Sequence, residues 1–289
     1  MSSPIVTLRM MFVAATAALT TACSPLTLFA TLSPKDPASR VSRGEAYGPH
    51  ARQTADVYVP RAGPVKAPIA VFFYGGSWDS GRRQDYNWVG RAMASRGFVT
   101  VVADYRVYPE VRYPGFLEDG ALAVRWAVDN AARFGGDPER IVLLGHSAGA
   151  YNAVMLALDG SYLTAAGVNP AQVKAVAGLA GPYDFLPLKG TSTNQVFGQS
   201  PDLPRTQPLA HVRPGSPPAF LATGDADKVV WPRNTKALAK LYREAGVVVE
   251  ERYYPGVDHI SIVLALSRPL RGGAPVLDEM ADFLRRHAD

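Results

Sequence analysis

The chain of 289 residues has a single cysteine, Cys23, so it can form no intrachain disulfide and offers no thiol cluster to a metal. Histidine is almost as sparse. The five are His50, His146, His211, His259 and His287, and none stands in the i, i+4 or H-E-x-x-H spacing of a zinc hydrolase. Charged residues make up only 19%, and the Lys and Arg behind the net charge of +5 are scattered, which argues against a nucleic-acid partner. There is no internal repeat. The uncharged stretch 10–22 is too short for a comfortable membrane span. What is present in quantity is apolar residue, 47% of the chain, enough for a globular body with a sizeable core. Neither a cofactor nor a metal is expected.

The N-terminus differs from the rest. Arg9 precedes the apolar and small residues 10–22, the pattern of an export signal. The segment Leu19-Thr20-Thr21-Ala22-Cys23 resembles a bacterial lipoprotein signal, with Thr20 where such signals usually carry Leu. The resemblance implies cleavage before Cys23, its lipidation, and an exported protein that is periplasmic or tethered to a membrane; a start placed too early, ordinary cleavage among Ala15 to Ala22, and an uncleaved anchor are the alternatives. Residues 23–40, with Pro25, Pro34 and Pro37 and little periodicity, read as a tether to a body spanning 41–289.

From residue 41 onward short apolar runs alternate with helical patterns, which predicts an α/β fold with a mostly parallel central sheet and helices on both faces. Strands are expected over 55–59, 69–73, 99–103, 141–144, 173–179, 219–222 and 248–254, and helices over 86–96, 117–134, 148–158, 233–245 and 275–287. In 117–134, Leu117, Ala121, Val124, Val128 and Ala131 form one apolar stripe, and Gly135-Gly136 ends it. Residues 181–217 are rich in Pro and Gly without a period, and read as a short cover or flap.

The strand 141–144 runs into Gly145-His146-Ser147-Ala148-Gly149. A G-x-S-x-G turn between a strand and a helix holds a serine hydroxyl clear of the sheet. Such a hydroxyl attacks a carbonyl only when an imidazole takes its proton and an acid orients that imidazole. Two later histidines compete. His259 follows the last strand, at the sheet end where ligands bind, whereas His211 lies in the irregular segment, so His259 is preferred. Asp227 and Asp225 follow the previous strand; Asp227 has room to turn toward His259, and Asp225 is left to cap the turn. Asp258, adjacent to the histidine, is read as solvated. Donors for a developing oxyanion are expected from the backbone N–H of Ala148 and from Gly75-Gly76 after the strand 69–73.

At this point the chain resembles an α/β-hydrolase of the esterase and lipase kind. It is most similar to the carboxylesterase branch that carries a His-Gly-Gly-x-Trp oxyanion motif, with hormone-sensitive-lipase-like esterases, kynurenine formamidases, and feruloyl and acetyl-xylan esterases. Tyr74-Gly75-Gly76-Ser77-Trp78 matches that motif except at Tyr74; 103–110 resembles its Asp-Tyr-Arg-Leu-x-Pro-Glu signature, and Gly135-Gly136-Asp137-Pro138 is a further shared phrase. The resemblance implies acyl transfer to water, with Ser147 as nucleophile, His259 as base and then acid, Asp227 as orienter, and Gly75, Gly76 and Ala148 as oxyanion donors. Asp104-Tyr105-Arg106 is expected to tie the early loops together, and Tyr74 to support its loop through the hydroxyl. Trp78, Tyr151, Tyr183, Phe185 and Trp231 are expected to line an aromatic pocket. The expected partner is a small or short-chain ester. An arylformamidase-type amide hydrolase using the same residues, and a non-catalytic binding protein on the same scaffold, are the alternatives.

Overall fold

A computed structural model of the chain describes residues 25–61 and 66–288. The expected signal over 1–22 and Cys23 lie outside the described residues. Eight strands form one sheet in the order β1-β2-β4-β3-β5-β6-β7-β8: β1 (Arg40–Ala46), β2 (Thr54–Val59), β3 (Ala67–Phe73), β4 (Val99–Ala103), β5 (Gly136–His146), β6 (Val173–Leu179), β7 (Ala219–Gly224) and β8 (Val249–Tyr254). The contacts β1–β2 and β2–β4 are antiparallel, and every pairing from β4 through to β8 is parallel. β3 and β4 are buried along their whole length, as continuous apolar runs must be when helices cover both faces of a sheet.

The main helices are α1 (Pro25–Leu32), α2 (Asn87–Ala94), α3 (Gly115–Asp129), α4 (Ala148–Leu158), α5 (Thr191–Phe197), α6 (Arg233–Glu244) and α7 (Val276–Ala288). Every residue of α4 is buried, so this helix lies in the core rather than over it. The apolar stripe expected over 117–134 is divided at Asn130, and its last turn, Ala131–Phe134, ends on Gly135 at φ 74°.

Three expectations on organisation are corrected. β1 went unread because Arg-Val-Ser-Arg-Gly-Glu-Ala shows no apolar alternation; it is an edge strand, where charged residues guard unpaired backbone. Residues 25–40 are not a free tether. In α1, Leu26, Phe29 and Ala30 share one face by i, i+3, i+4 spacing, and that face packs on the body. Phe29 meets Trp88 edge-on at 5.6 Å, Asn87 donates to the Ala30 carbonyl, and the buried Asp36 pairs with Arg271. Nor does the segment 181–217, expected as a short cover or flap, line the cavity that holds Ser147. It contains α5 and two short 3-10 turns, and Val196 and Phe197 of α5 are buried in the core.

The elbow turn depends on two glycines. A Cβ on Gly149 would stand 2.1 Å from the Phe73 carbonyl oxygen, and one on Gly145 would stand 2.2 Å from the Gly149 carbonyl oxygen. Both obstacles are backbone and cannot yield. Gly135 faces open space, and its only demand is its positive φ. Gly149→Ala is therefore expected to lower stability by several kcal/mol or to abolish soluble expression, whereas Gly135→Ala should cost only about 1–2 kcal/mol. Thermal denaturation of the two variants beside the parent checks this; equal costs would contradict it.

Candidate active site

Ser147 stands between β5 and α4 with φ 55° and ψ −125°, a conformation that costs a non-glycine residue about 1–3 kcal/mol and persists only where its surroundings enforce it. They do so here through the Ser147 N–H, which donates to the Leu179 carbonyl at 2.9 Å, and the Ser147 carbonyl, which accepts from Ala150 and Tyr151 in the first turn of α4. The side chain is thereby turned toward the loop after β8. Ser147 Oγ lies 2.9 Å from His259 Nε2, and His259 Nδ1 lies 2.8 Å from Asp227 Oδ2. Asp227 Oδ1 accepts the N–H groups of Val229 and Val230, both at 2.9 Å, so the carboxylate cannot rotate away. With Nδ1–H given to Asp227, Nε2 is left as the acceptor for the serine proton. The three residues thus form one hydrogen-bonded chain that can carry a proton away from Oγ.

The competing residues lie elsewhere. His211 is buried with Nε2–H donating to the Arg205 carbonyl, and its other ring nitrogen is 3.7 Å from Asp159. Asp225 accepts the Gly256 N–H at 2.7 Å, closing the turn. Asp258 is exposed and caps the next helical turn by accepting from Ile260 and Ser261, bonds that hold its carboxyl below the usual range.

Gly75 packs directly on the serine. A Cβ there would be 3.0 Å from Ser147 Cβ and 3.1 Å from His146 Nδ1. Gly76 adopts φ +138°, where a Cβ would strike the Ser80 carbonyl at 2.4 Å. Gly75, Gly76 and Ser147 all face one cavity of about 940 Å³, and Ala148 opens α4 beside them. Two backbone loops and a helix N-terminus thus converge where charge would develop on a substrate carbonyl. Ser77 and Trp78 follow at φ 52° and 59°, both in the left-handed region. The loop is held there by Trp78, whose Nε1–H donates to Asn152 at 3.0 Å and whose carbonyl accepts from Tyr108 at 2.7 Å.

Tyr74 occupies the position where the related motif carries His, and its hydroxyl donates to Asp104 at 2.8 Å while accepting from Arg52 at 3.1 Å. Asp104 also accepts from Arg83, Tyr105 donates to the Tyr74 carbonyl at 2.8 Å, and Arg106 pairs with Asp119. These residues bind the early loops to one another, and none of them lines the cavity.

The expected aromatic pocket is corrected. Trp78, Tyr151 and Tyr183 are buried; Trp78, Tyr151 and Phe197 pack edge to face in the core beneath the 74–78 loop, and the half-buried Phe185 lies tilted against Trp78. Trp231 is 61% exposed at the surface, and none of the five lines the cavity. Placement near strand ends does not say which way a ring points: Trp78, Tyr151 and Phe185 turn into the core, and Trp231 turns out to the surface. The cavity wall comes instead from Leu26 and Thr27 of α1, from Arg82, Asp85 and Tyr86, and from Val229 and Ile260.

His146, the second residue of the elbow, was not singled out from the sequence. It is buried against the cavity floor, and its Nε2–H donates to the His259 carbonyl at 2.8 Å, with the two rings 5.0 Å apart. It thereby fixes the backbone of the residue whose ring meets Ser147. Burial and the nearby His259 lower its pKa to about 3, so it stays neutral at ordinary pH. The unfolded chain takes up this proton near pH 6.5 and the native state does not. The contribution of His146 to stability is thus fully present above pH 6.5 and is lost as pH falls from 6.5 toward 3. His146→Gln is expected to flatten the loss of stability across that window in chemical denaturation; an unchanged slope would contradict the assignment.

A mostly parallel sheet with a serine elbow after β5, an acid after β7 and a histidine after β8 defines an α/β-hydrolase. The BD-FAE family model matches residues 55–242, more than half of the chain, and the chain belongs to that family. It is 30% identical over 278 residues to a probable isoprenylcysteine alpha-carbonyl methylesterase of Arabidopsis thaliana, covering 87% of this chain and 64% of that protein. A shorter stretch of 102 residues, 35% of this chain and 32% of the other, is 39% identical to a carboxylesterase of Mycobacterium tuberculosis. The chain spans about three fifths of the length of the methylesterases it matches. Among solved structures, esterase B from Lactobacillus rhamnosis superposes with a TM-score of 0.80 at 19% identity, covering 97% of this chain and 96% of that one. A truncated carbohydrate esterase from gut microbiota superposes at 0.77 with 20% identity, covering 89% and 99%. At such identities the structures speak for the fold.

Proposed function

We propose that this protein is a serine hydrolase that cleaves carboxylic esters through an acyl-enzyme. The observation that carries the reading is the unbroken chain Ser147–His259–Asp227, with hydrogen bonds of 2.9 and 2.8 Å, opening on a cavity beside Gly75 and Gly76. Ser147 attacks the ester carbonyl as His259 Nε2 takes its proton, and Asp227 holds the imidazole tautomer and offsets the charge that forms. The N–H groups of Gly75, Gly76 and Ala148 receive the oxyanion. The imidazolium then protonates the departing alcohol, and the same steps run with water release the acid. The esterase and methylesterase names of the relatives support this reaction class.

The cavity supports a substrate with two characters. Leu26, Tyr86, Val229 and Ile260 supply apolar wall for an acyl chain, and Ser77, Ser80, Arg82 and Asp85 supply polar wall for the other part of the molecule. At about 940 Å³ the space exceeds what an acetyl group fills and suits a short to medium ester. Export and a membrane tether through a lipidated Cys23 belong to the same proposal, supported by Arg9, the uncharged run 10–22 and the residues before Cys23. Mass spectrometry of the mature protein is expected to find a diacylglyceryl Cys23; an intact Met1 would refute it.

Ser147→Ala is expected to lower kcat on p-nitrophenyl acetate by roughly three orders of magnitude or more, and Asp227→Asn by somewhat less, with circular dichroism unchanged. Ester cleavage undiminished in Ser147→Ala would rule out this mechanism. N-formylkynurenine in the same assay tests the amide alternative. For the pocket, Leu26→Trp should lower kcat/KM for p-nitrophenyl octanoate about tenfold while changing the acetate ester little, since each lost methylene contact is worth about 1 kcal/mol. An equal effect on both esters would remove α1 from the acyl wall.

A further inference from the structure

Large apolar side chains are well exposed at only a few places among the described residues, and two of them stand at one mouth, with others on the segments that supply its wall. Val229 is 70% exposed and Ile260 49%, and both line the rim of the cavity that holds Ser147. Trp231 is 61% exposed, two residues beyond Val229. Across the cavity, α1 sends Leu26 and Thr27 into the wall while its other face shows Leu28 at 55% and Leu32 at 71% exposure. An exposed apolar patch that rims a ligand site marks a surface that is covered in use.

The composition of the rim identifies what covers it. The loop reads Lys228-Val229-Val230-Trp231-Pro232-Arg233, two exposed basic residues flanking exposed Val and Trp. That is the arrangement of a segment lying at a membrane interface, with the indole at the headgroup level and the cations reaching for phosphates. Lys228 and Arg233 stand beyond the exposed Asp225 and Asp258 of the neighbouring turns, and the chain from Cys23 onward stays basic, the net +5 less the single charge of Arg9, which suits an anionic surface. Leu28 follows Cys23 by five residues, so a lipid-anchored Cys23 would hold α1 within about 18 Å of the bilayer.

We propose that the rim formed by Val229, Trp231, Ile260 and the outer face of α1 is a lipid-docking surface that seats the cavity mouth on an anionic bilayer. Docked in this way, the apolar wall of the cavity is continuous with the acyl region of the membrane. An acyl ester can then reach Ser147 without its chain crossing water. The docking rests on the hydrolase reading only in treating the cavity as the active site.

The test reads Trp231 directly, so that it does not depend on how the N-terminus is held. The full-length protein is mixed with vesicles of phosphatidylcholine and phosphatidylglycerol whose acyl chains carry bromine, and tryptophan emission is compared with that in unbrominated vesicles. Trp78 and Trp88 are buried in the core and Trp126 is half-buried against Phe134, so the difference between the parent and Trp231→Phe isolates the signal of Trp231. Bromolipid is expected to quench the parent at least twofold more than Trp231→Phe, and Leu28→Gln/Leu32→Gln should reduce the quenching of Trp231. Vesicle-bound parent quenched no more than Trp231→Phe would overturn the proposal, as would failure to bind vesicles. Concentration-dependent dimerisation in lipid-free buffer, abolished by Trp231→Gln, would assign the rim to a second copy of the chain and overturn it equally. Ser147→Ala should be quenched like the parent, so a failed hydrolase reading and a failed docking surface give separable results.

Discussion

Everything in this site follows from one backbone contact, the approach of Gly149 to the Phe73 carbonyl where β3 and α4 cross. Because no side chain intervenes, α4 starts immediately at the end of β5, and the single residue left to make the turn, Ser147, is forced to φ 55°. A looser crossing would allow a longer turn, a relaxed serine and a hydroxyl free to rotate away from His259. The strain at Ser147 is thus a consequence of close packing, and the same packing buries every residue of α4 and makes the helix a rigid base.

A second layer of contacts holds the loop after β8 and the 74–78 loop at fixed distances from that base. His146 ties the loop after β8 to the elbow through the His259 carbonyl. Trp78 ties the oxyanion loop to α4 through Asn152. Tyr74, bonded to Asp104 and Arg52, ties the same loop to the connection between β1 and β2 and to the end of β4. A hydroxyl at position 74 reaches the carboxylate that the loop needs, so the departure from the related His motif leaves the supporting hydrogen bond in place. The pairing is a mechanical one: each tie fixes backbone whose N–H or side chain faces the substrate.

The sheet and the reactive residues were legible in the sequence because both leave local signatures. Continuous apolar runs such as 69–73 and 141–144 mark doubly covered strands, and the small residues around Ser147 mark the turn. Asp227 and His259 could be placed because chain order and strand ends restrict an α/β-hydrolase to few positions. The misread parts are those whose meaning is not local. The charged β1 is a strand only because β2 offers it an edge, and 25–32 is a docked helix only because Trp88 and Asn87 receive it. The direction of a buried ring is likewise set by its neighbours: Trp78 and Tyr151 sit next to the site in sequence and turn away from it in space. His146 did leave a signal, being the only histidine within the elbow, but a histidine beside a nucleophile acquires a role only once it is seen to reach His259.

The placement of α1 also separates reaction from selectivity along the chain. The region matched by the family model, 55–242, contains Gly75-Gly76, the elbow and Asp227, and His259 lies beyond it. Two of the cavity walls fall outside it, Leu26 and Thr27 before and Ile260 after. α1 is held to the rest by a small polar latch in which Thr27 donates to Asp85 at 2.8 Å and Arg82 donates to both, at 3.0 and 3.1 Å. Arg82 and Asp85 themselves line the cavity, so the latch that fixes the helix also forms the polar wall. Any substitution there changes the position of α1 and the surface offered to substrate together. The rest of the wall, Arg82, Asp85, Tyr86 and Val229 among it, lies inside 55–242, so the shape of the cavity depends on how α1 and the loop after β8 seat against that region.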